Sequence, residues 1–437
     1  MQIKKVTLTN FRNYAHAEAE LWHERNILLG ENAQGKSNFI EAIELLAKGR
    51  SDRAVSDGDL IRNGAADMNI RLTFEREGRD QSLALSLCKA TGHIGKNQAK
   101  VAIEKRAQVN GVSSASLRPL SGHLATVSFK NEDLGLLRAG PKFRRDWIDQ
   151  ILINLKPAMQ ERLARYHKAV SQRNRLLKNL FDKGKVTTSQ QDELKVWDDQ
   201  LAKHGALIIS ERLDVLNKLL GRGVGYQSIL SDQQEALSAA YQLRNSRNRS
   251  ESEDIERDDG QLSVSQPVHP SPELLIHGGS GHALDAAEIA EMLLRSYKES
   301  RYEEISRRQT LYGPHRDDIS FLLSGKEATA FASQGQQRSL VLAMKLAELK
   351  LVSESLDDSP VLLLDDVLAE LDLNRQSLLM SLIRNDMQTI ITTTHISGFR
   401  PEWLEKAAFI YVKDGSLERQ RPDATAEDIC NAQVDLG

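Results

Sequence analysis

The chain has 437 residues, 40% apolar and 27% charged, with 58 Lys and Arg against 61 Asp and Glu and a net charge of −3. That length allows about two to four domains, and the composition excludes collagen-like and wholly disordered chains. Near-neutrality excludes a globally basic nucleic-acid binder but leaves room for a local basic surface.

No apolar run approaches the roughly 18 residues that cross a bilayer, and the opening MQIKKVTLTNFRNY lacks the apolar core of a secretory leader. A cytoplasmic protein with no membrane association is expected. Cys88 and Cys430 lie far apart in the chain and suggest neither a disulfide framework nor a zinc site.

Along the first 130 residues the pattern predicts mainly strands, with Ile70, Leu72 and Phe74, then Leu83, Leu85 and Leu87, alternating with polar or small residues. One strand-turn-helix unit interrupts them: Ile27-Leu28-Leu29, a Gly-containing loop, and a helix over about 37–47 with Phe39, Ile40, Ile43 and Leu46 on its apolar face. Residues 142–222 read as long charged helices. Residues 244–283 hold too few apolar side chains to offset their ordering entropy and are expected to be a disordered insertion. Helix resumes over 284–309. Then FLL at 321–323, a helix from 336, VLLLDD at 361–366, a helix from 373 and TIITTT at 389–394 alternate, predicting a largely parallel sheet. The expected organisation is one α/β domain, 1–130 and 311–418, split by a helical insertion, 131–310, with a tail over 419–437.

GENAQGKS at 30–37 follows a strand and opens a helix, the context a phosphate-binding loop requires. Gly30 and Gly35 let the backbone wrap a phosphate, and Glu31, Asn32, Ala33 and Gln34 bring their N–H groups to it. Lys36 is placed for the β- and γ-phosphates and Ser37 for a magnesium ion. VLLLDD ends an apolar strand on two carboxylates, at the carboxyl end of a parallel strand, where such sheets bind ligands. Asp365 is expected to hold the magnesium and Asp366 to orient or deprotonate water. Ser333, Gly335 and Gln336 in SQGQQR precede a helix, a phosphate-binding arrangement and equally an ordinary capped helix. AELD at 369–372 follows the carboxylates and ends on Asp372, and His395 closes TIITTT.

In this order the segments resemble the ATP-binding-cassette motif set, and with the intervening insertion they resemble its chromosome-maintenance branch. LTNFRNY at 8–14, FKNEDLGLLRAGPKFRRDWID at 129–149 and YGPHRDD at 312–318 extend the resemblance specifically to the RecF family, over about 1–240 and 284–415. The resemblance implies a cassette-type ATPase head with a mixed sheet, using ATP and Mg2+, that pairs around ATP as a homodimer. It implies slow hydrolysis in recombinational repair and replication, action at gapped or single-strand–double-strand DNA to promote recombinase loading, and RecR, RecO and indirectly RecA as partners. It also implies Arg12 and Asn13 near the nucleotide phosphates, Ser333, Gly335 and Gln336 facing a second subunit's ATP, Asp372 at the same interface, and His395 in catalysis. Many cassette ATPases carry Asp-Glu where this chain has Asp365-Asp366, and the shorter side chain fits slow turnover.

Between 142 and 178 there are ten Lys or Arg against three acids. Lys142, Arg144, Arg145, Arg162, Arg165 and Lys168 are the expected DNA contacts, through backbone and shape rather than base reading. A solvated helix face would show the same pattern. The rival readings are a transporter's ATPase subunit, which the nearly 300 residues between Ser37 and Ser333 disfavour, and a coiled-coil clamp, which needs longer heptad runs. A cassette fused to a nuclease would need a further acidic domain.

Overall fold

In chain order, strands β1 (Gln2–Phe11), β2 (Tyr14–Glu20) and β3 (Arg25–Leu29) lead into helix α1 (Lys36–Lys48). Then come β4 (Asp67–Arg76), β5 (Arg79–Gly92), β6 (Lys100–Val109), β7 (Val112–Ser114) and β8 (Thr126–Lys130). Helices α2 (Gly135–Arg138), α3 (Pro141–Leu155), α4 (Ala158–Lys183) and α5 (Thr188–Leu230) follow, with β9 (Leu237–Gln242), β10 (Glu273–Ile276), α6 (Ala286–Glu299) and α7 (Arg301–Arg307). After β11 (Asp318–Leu323), β12 (Lys326–Glu327), α8 (Ala328–Phe331) and α9 (Gln334–Ser355) the chain ends through β13 (Val361–Asp365), α10 (Leu373–Leu382), β14 (Thr389–Thr393), α11 (Pro401–Leu404), β15 (Ala407–Lys413) and β16 (Ser416–Gln420). This computed structural model describes residues 1–92, 100–183, 187–231, 235–243, 273–276, 285–384 and 386–420.

The chain divides into two compact units, Met1–Asp133 with Glu348–Gly437, and Leu134–Ala347. The boundary expected at 310/311 therefore moves to within α9. Residues 311–347 group with the helical unit because β11 pairs with β9, a strand the helical pattern concealed. FLL at 321–323 is accordingly antiparallel and outside the parallel sheet in which the alternation placed it. The stretch 244–283, expected to be disordered, lies mostly outside the described residues, but Glu273–Ile276 within it is a strand. There Leu274, Leu275 and Ile276 form an apolar segment that pairs antiparallel with β9. The tail beyond 420 also lies outside the described residues.

In the first unit two six-stranded sheets sandwich α1. One is antiparallel, β2-β1-β4-β5-β6-β7; the other, β16-β15-β3-β14-β13-β8, is parallel except for β16. The alternating residues at 70–74 and 83–87 are buried, as are Phe39, Ile40, Ile43 and Leu46, and all join one core with Leu363, Ile390 and Ile410. Burying every face of α1 fixes the phosphate loop that precedes it. The parallel strands β3, β8, β13 and β14 are buried along nearly their whole length, threonines included, as expected of a sheet covered on both faces.

In the second unit α4 and α5 pack as a pair, and their interior carries charge. Arg173 is fully buried, its guanidinium 2.8 Å from Asp198 and 2.6 Å from Glu304. Arg212 is likewise buried, bidentate to Asp149 at 2.7 and 2.8 Å and donating to the Pro314 carbonyl oxygen at 2.7 Å. Burial alone opposes ionisation of Arg212, yet Asp149 and Tyr241 hold it cationic and raise its pKa. Such pairs are costly to break singly and nearly neutral to replace as a whole. Arg173→Met should lower stability by about 3–5 kcal/mol, because Glu304 loses its counter-ion in the core. Adding Glu304→Leu should recover only part of that loss, since Asp198 keeps Arg301 but the buried Leu311 amide loses its acceptor; urea unfolding of the full chain, followed by far-UV circular dichroism, reads both.

Candidate nucleotide-binding site

Register builds the site. In the parallel sheet Asp365 lies beside Thr392, and Thr393 beside Leu29, so the carboxyl ends of β13, β14 and β3 coincide where the 30–37 loop begins. Ser37 and Asp365, 328 positions apart in sequence, then meet: the Ser37 hydroxyl donates to Asp365 Oδ1 at 2.8 Å. The Thr392 hydroxyl donates to the same oxygen at 2.6 Å.

The loop is held from two sides. Asn13, in the turn between β1 and β2, donates from Nδ2 to the Gln34 carbonyl oxygen at 2.8 Å, and Tyr14 donates its hydroxyl to the Gly35 carbonyl oxygen at 2.9 Å. From the turn between β15 and β16, the amides of Asp414 and Gly415 donate to Gln34. Gly35 sits at φ +118°, and a Cβ there would come 2.6 Å from Asn13 Nδ2, so only glycine fits. Glu31, Asn32 and Ala33 form the exposed rim. Lys36, only 4% exposed, turns its ammonium onto the carbonyl oxygens of Gly30 and Glu31 at 2.8 and 2.9 Å. Burial lowers its pKa, and the carboxylates of Asp366 and Asp365 work against that. The loop thus encloses a cation ringed by backbone, with its own amides at the N-terminus of a helix, a cradle for a polyphosphate.

Asp366 takes the left-handed conformation at φ +54°, which Asp tolerates better than most residues, and its amide donates to Thr392. Burial raises its carboxyl pKa, with Asp365 and Glu370 adding to the shift and Lys36 and His395 opposing it. His395 is exposed at the end of β14, its Nδ1 2.9 Å from the Thr394 hydroxyl. Asp372 caps α10, accepting from the Arg375 amide at 2.9 Å.

Several expected residues are placed differently. Arg12, expected near the nucleotide phosphates, has its guanidinium on Glu41 of α1, bidentate at 2.9 and 2.6 Å, and donates to the Asp59 carbonyl oxygen, because the β1–β2 turn sets it against α1. Arg144 is not a surface cation but lies 9% exposed and bidentate to Asp318 at 2.7 and 2.9 Å. Arg145 donates to the Asp317 carbonyl oxygen. Burial and the neighbouring Arg212 lower its pKa. Lys142 pairs with Asp146, Arg165 with Glu161, and Arg162 sits half-buried at the edge of the packed face of α4. Of the six expected DNA contacts Lys168 is exposed with no ion pair among the described residues, and Arg175 and Lys178 share its solvent face. Ser333, Gly335 and Gln336 belong to the helical unit, where Ser333 caps α9. Asn13, expected with Arg12 near the nucleotide, does meet the loop, whereas Tyr14 and Thr392 are site residues to which motif reading gave no role. Tyr14 closes the LTNFRNY segment and Thr392 is one of four threonines before His395, but only the fold says that these two touch the site.

The description "RecF/RecN/SMC N terminal domain" matches residues 2–412 of the chain. Proteins named DNA replication and repair protein RecF from Thermosynechococcus vestitus and Gloeobacter violaceus are each 36% identical over 417 residues, covering 95% of this chain and 97% and 98% of theirs. The chain belongs to the RecF family. A solved structure described as the recombination mediator protein RecF bound to ATP in the RecFOR pathway superposes on this RecF-family chain with a TM-score of 0.75, 28% identity, and coverage of 96% and 98%. The ATPrS-bound form gives 0.74.

Among the described residues no group of three or more His, Cys, Asp and Glu side chains could hold a metal ion. A magnesium ion at Ser37 and Asp365 would complete its shell with nucleotide oxygens and water, the usual arrangement for that ion. The two oxygen donors, already in contact, fit it. The buttress is testable without ligand: Asn13→Ala removes its bond to Gln34 and the one it accepts from Asn38 at 2.9 Å, and should speed amide hydrogen exchange over residues 34–38 by at least about fivefold, while α1 beyond residue 40 stays protected.

Proposed function

We propose that this RecF-family chain is an ATP-dependent DNA-binding protein of recombinational repair and replication that dimerises on ATP and hydrolyses it slowly. The observation that carries the nucleotide part is the 2.8 Å contact between Ser37 Oγ and Asp365 Oδ1, which unites the phosphate loop with the carboxylate strand at one point. In this reading the 30–37 loop amides and Lys36 bind the β- and γ-phosphates of ATP, and Ser37 and Asp365 hold Mg2+. The ion supplies charge neutralisation on the phosphates. Asp366, with a raised pKa, accepts a proton from or orients the attacking water, and His395 stands at the neighbouring strand end. Ser333, Gly335 and Gln336, with Asp372, complete the site of a second copy in an isologous pair. The RecFOR setting of the solved relatives supports RecR and RecO as partners and recombinase loading at gapped DNA as the outcome.

Lys36→Ala should abolish stable ATP binding, since the loop keeps only dipoles. Asp365→Asn should weaken magnesium-dependent binding, whereas Asp366→Asn should bind ATP normally and turn over at least tenfold more slowly. Nucleotide titration and phosphate release read these effects, and parental turnover by Asp366→Asn rules out its role as base.

For DNA, the exposed cations favour a track along α4 through Lys168, Arg175 and Lys178 rather than the buried Arg144 and half-buried Arg145. Reversing those three to Glu should weaken binding to gapped duplex and reduce its salt slope by about 2–3. Wild-type affinity and slope in that variant, measured by fluorescence anisotropy across a salt series, places the contact elsewhere.

A further inference from the structure

The first turn of α9 is fastened from both sides by side chains the motif does not contain. Ser333 and Gln336 form a reciprocal capping box: the Gln336 amide donates to Ser333 Oγ at 3.3 Å, and the Ser333 amide to Gln336 Oε1 at 2.6 Å. Gln336 is fixed in turn, its Nε2 donating to the Glu235 carboxylate at 2.6 Å. Glu235, two residues before β9, takes a second such bond at 2.7 Å from Gln227, a fully buried residue of α5. On the other side Arg138 donates to Gln337 Oε1 at 2.9 Å, and Gln337 Nε2 donates to the Ala332 carbonyl oxygen.

This arrangement leaves the Ser333 hydroxyl proton available. Its oxygen lends a lone pair to the Gln336 amide, so the O–H can still donate outward to an anion. The positive end of α9, a 22-residue helix, attracts that anion. One amide group away, however, stands Glu235. Its carboxylate already complements the helix end in the single subunit, and a second anion arriving there meets a like charge.

We infer that Glu235 is a positioning residue for the signature serine and, through its charge, a brake on closing the ATP site between two copies. The inference rests on the dimer reading above. It divides Glu235 into two separable parts: hydrogen bonding that holds Gln336, and hence the Ser333 backbone, in place for closure, and a charge that opposes closure. Glu235→Gln separates them. Its carbonyl oxygen can accept from Gln336, while its amide can donate to Gln227 Oε1, which lacks a hydrogen-bond partner among the described residues, once that amide flips. Glu235→Ala removes both parts.

The test is sedimentation velocity of the full chain against ATP concentration with magnesium, for parent, Glu235→Gln, Glu235→Ala and Ser333→Arg. Glu235→Gln should half-dimerise at about three- to tenfold lower ATP than the parent, the effect of removing one charge from each of two helix ends. Glu235→Ala should gain less than Glu235→Gln, because Gln336 is no longer held. A Gln variant that dimerises at the parental ATP concentration or above overturns the brake, and an Ala variant equal to the Gln variant overturns the positioning. Failure of the dimer reading looks different: the parent stays monomeric at every ATP concentration, or Ser333→Arg dimerises as the parent does.

Discussion

The contact between Ser37 and Asp365 depends on a register, and most of the first unit exists to set it. β3, β14 and β13 must end level for the loop after β3 to meet the carboxylates after β13, and a slip of one residue would turn Asp365 to the other face of the sheet. Thr392 enforces the alignment by bonding Asp365 from the middle strand. Helix α1, buried between two sheets, cannot shift without opening the core on both sides. The loop between them is thus defined by its ends before any ligand arrives, and the turns at Asn13 and Gly415 hold its centre.

The helical unit follows a different economy of charge. A sequence window dense in Lys and Arg suggests an exposed basic face, yet Arg144 and Arg173 from that window go inward and meet Asp318, Asp198 and Glu304. The acids come from elements distant in sequence, so local charge counting overstates the surface potential. What is left outward on α4 without an ion pair among the described residues is a shorter run of cations, Lys168, Arg175 and Lys178, spread along one solvent face, beside Arg165 paired with Glu161. The interior pairs specify how α3, α4, α5, α7 and β11 assemble, since each guanidinium accepts few geometries.

The signature turn shows how little of a motif's setting the motif contains. SQGQQ supplies its own cap, which any serine followed three residues later by glutamine could do. Glu235 and Arg138, from segments about 100 and 200 residues earlier in the chain, decide how the turn is held and what charge it carries.

Local chemistry was enough to read the phosphate loop, the carboxylate strand and the alternating β-segments, because each is dictated by neighbours within about ten residues: glycines for the wrap, an apolar run for the buried strand, period-two burial for the sheet. Sequence order added the family. The partners of individual side chains were beyond its reach. Arg12 could as well face phosphate as Glu41, Gln336 could as well face solvent as Glu235, and FLL could as well join the parallel sheet as pair with β9. Each choice is settled by which distant segment arrives opposite, and a hydrogen bond or ion pair of that kind leaves no periodic trace in the chain. The motifs were fixed by local covalent and steric demands; the assignment of each charge to core, cap or surface was made only when the tertiary structure brought its counter-charge into place.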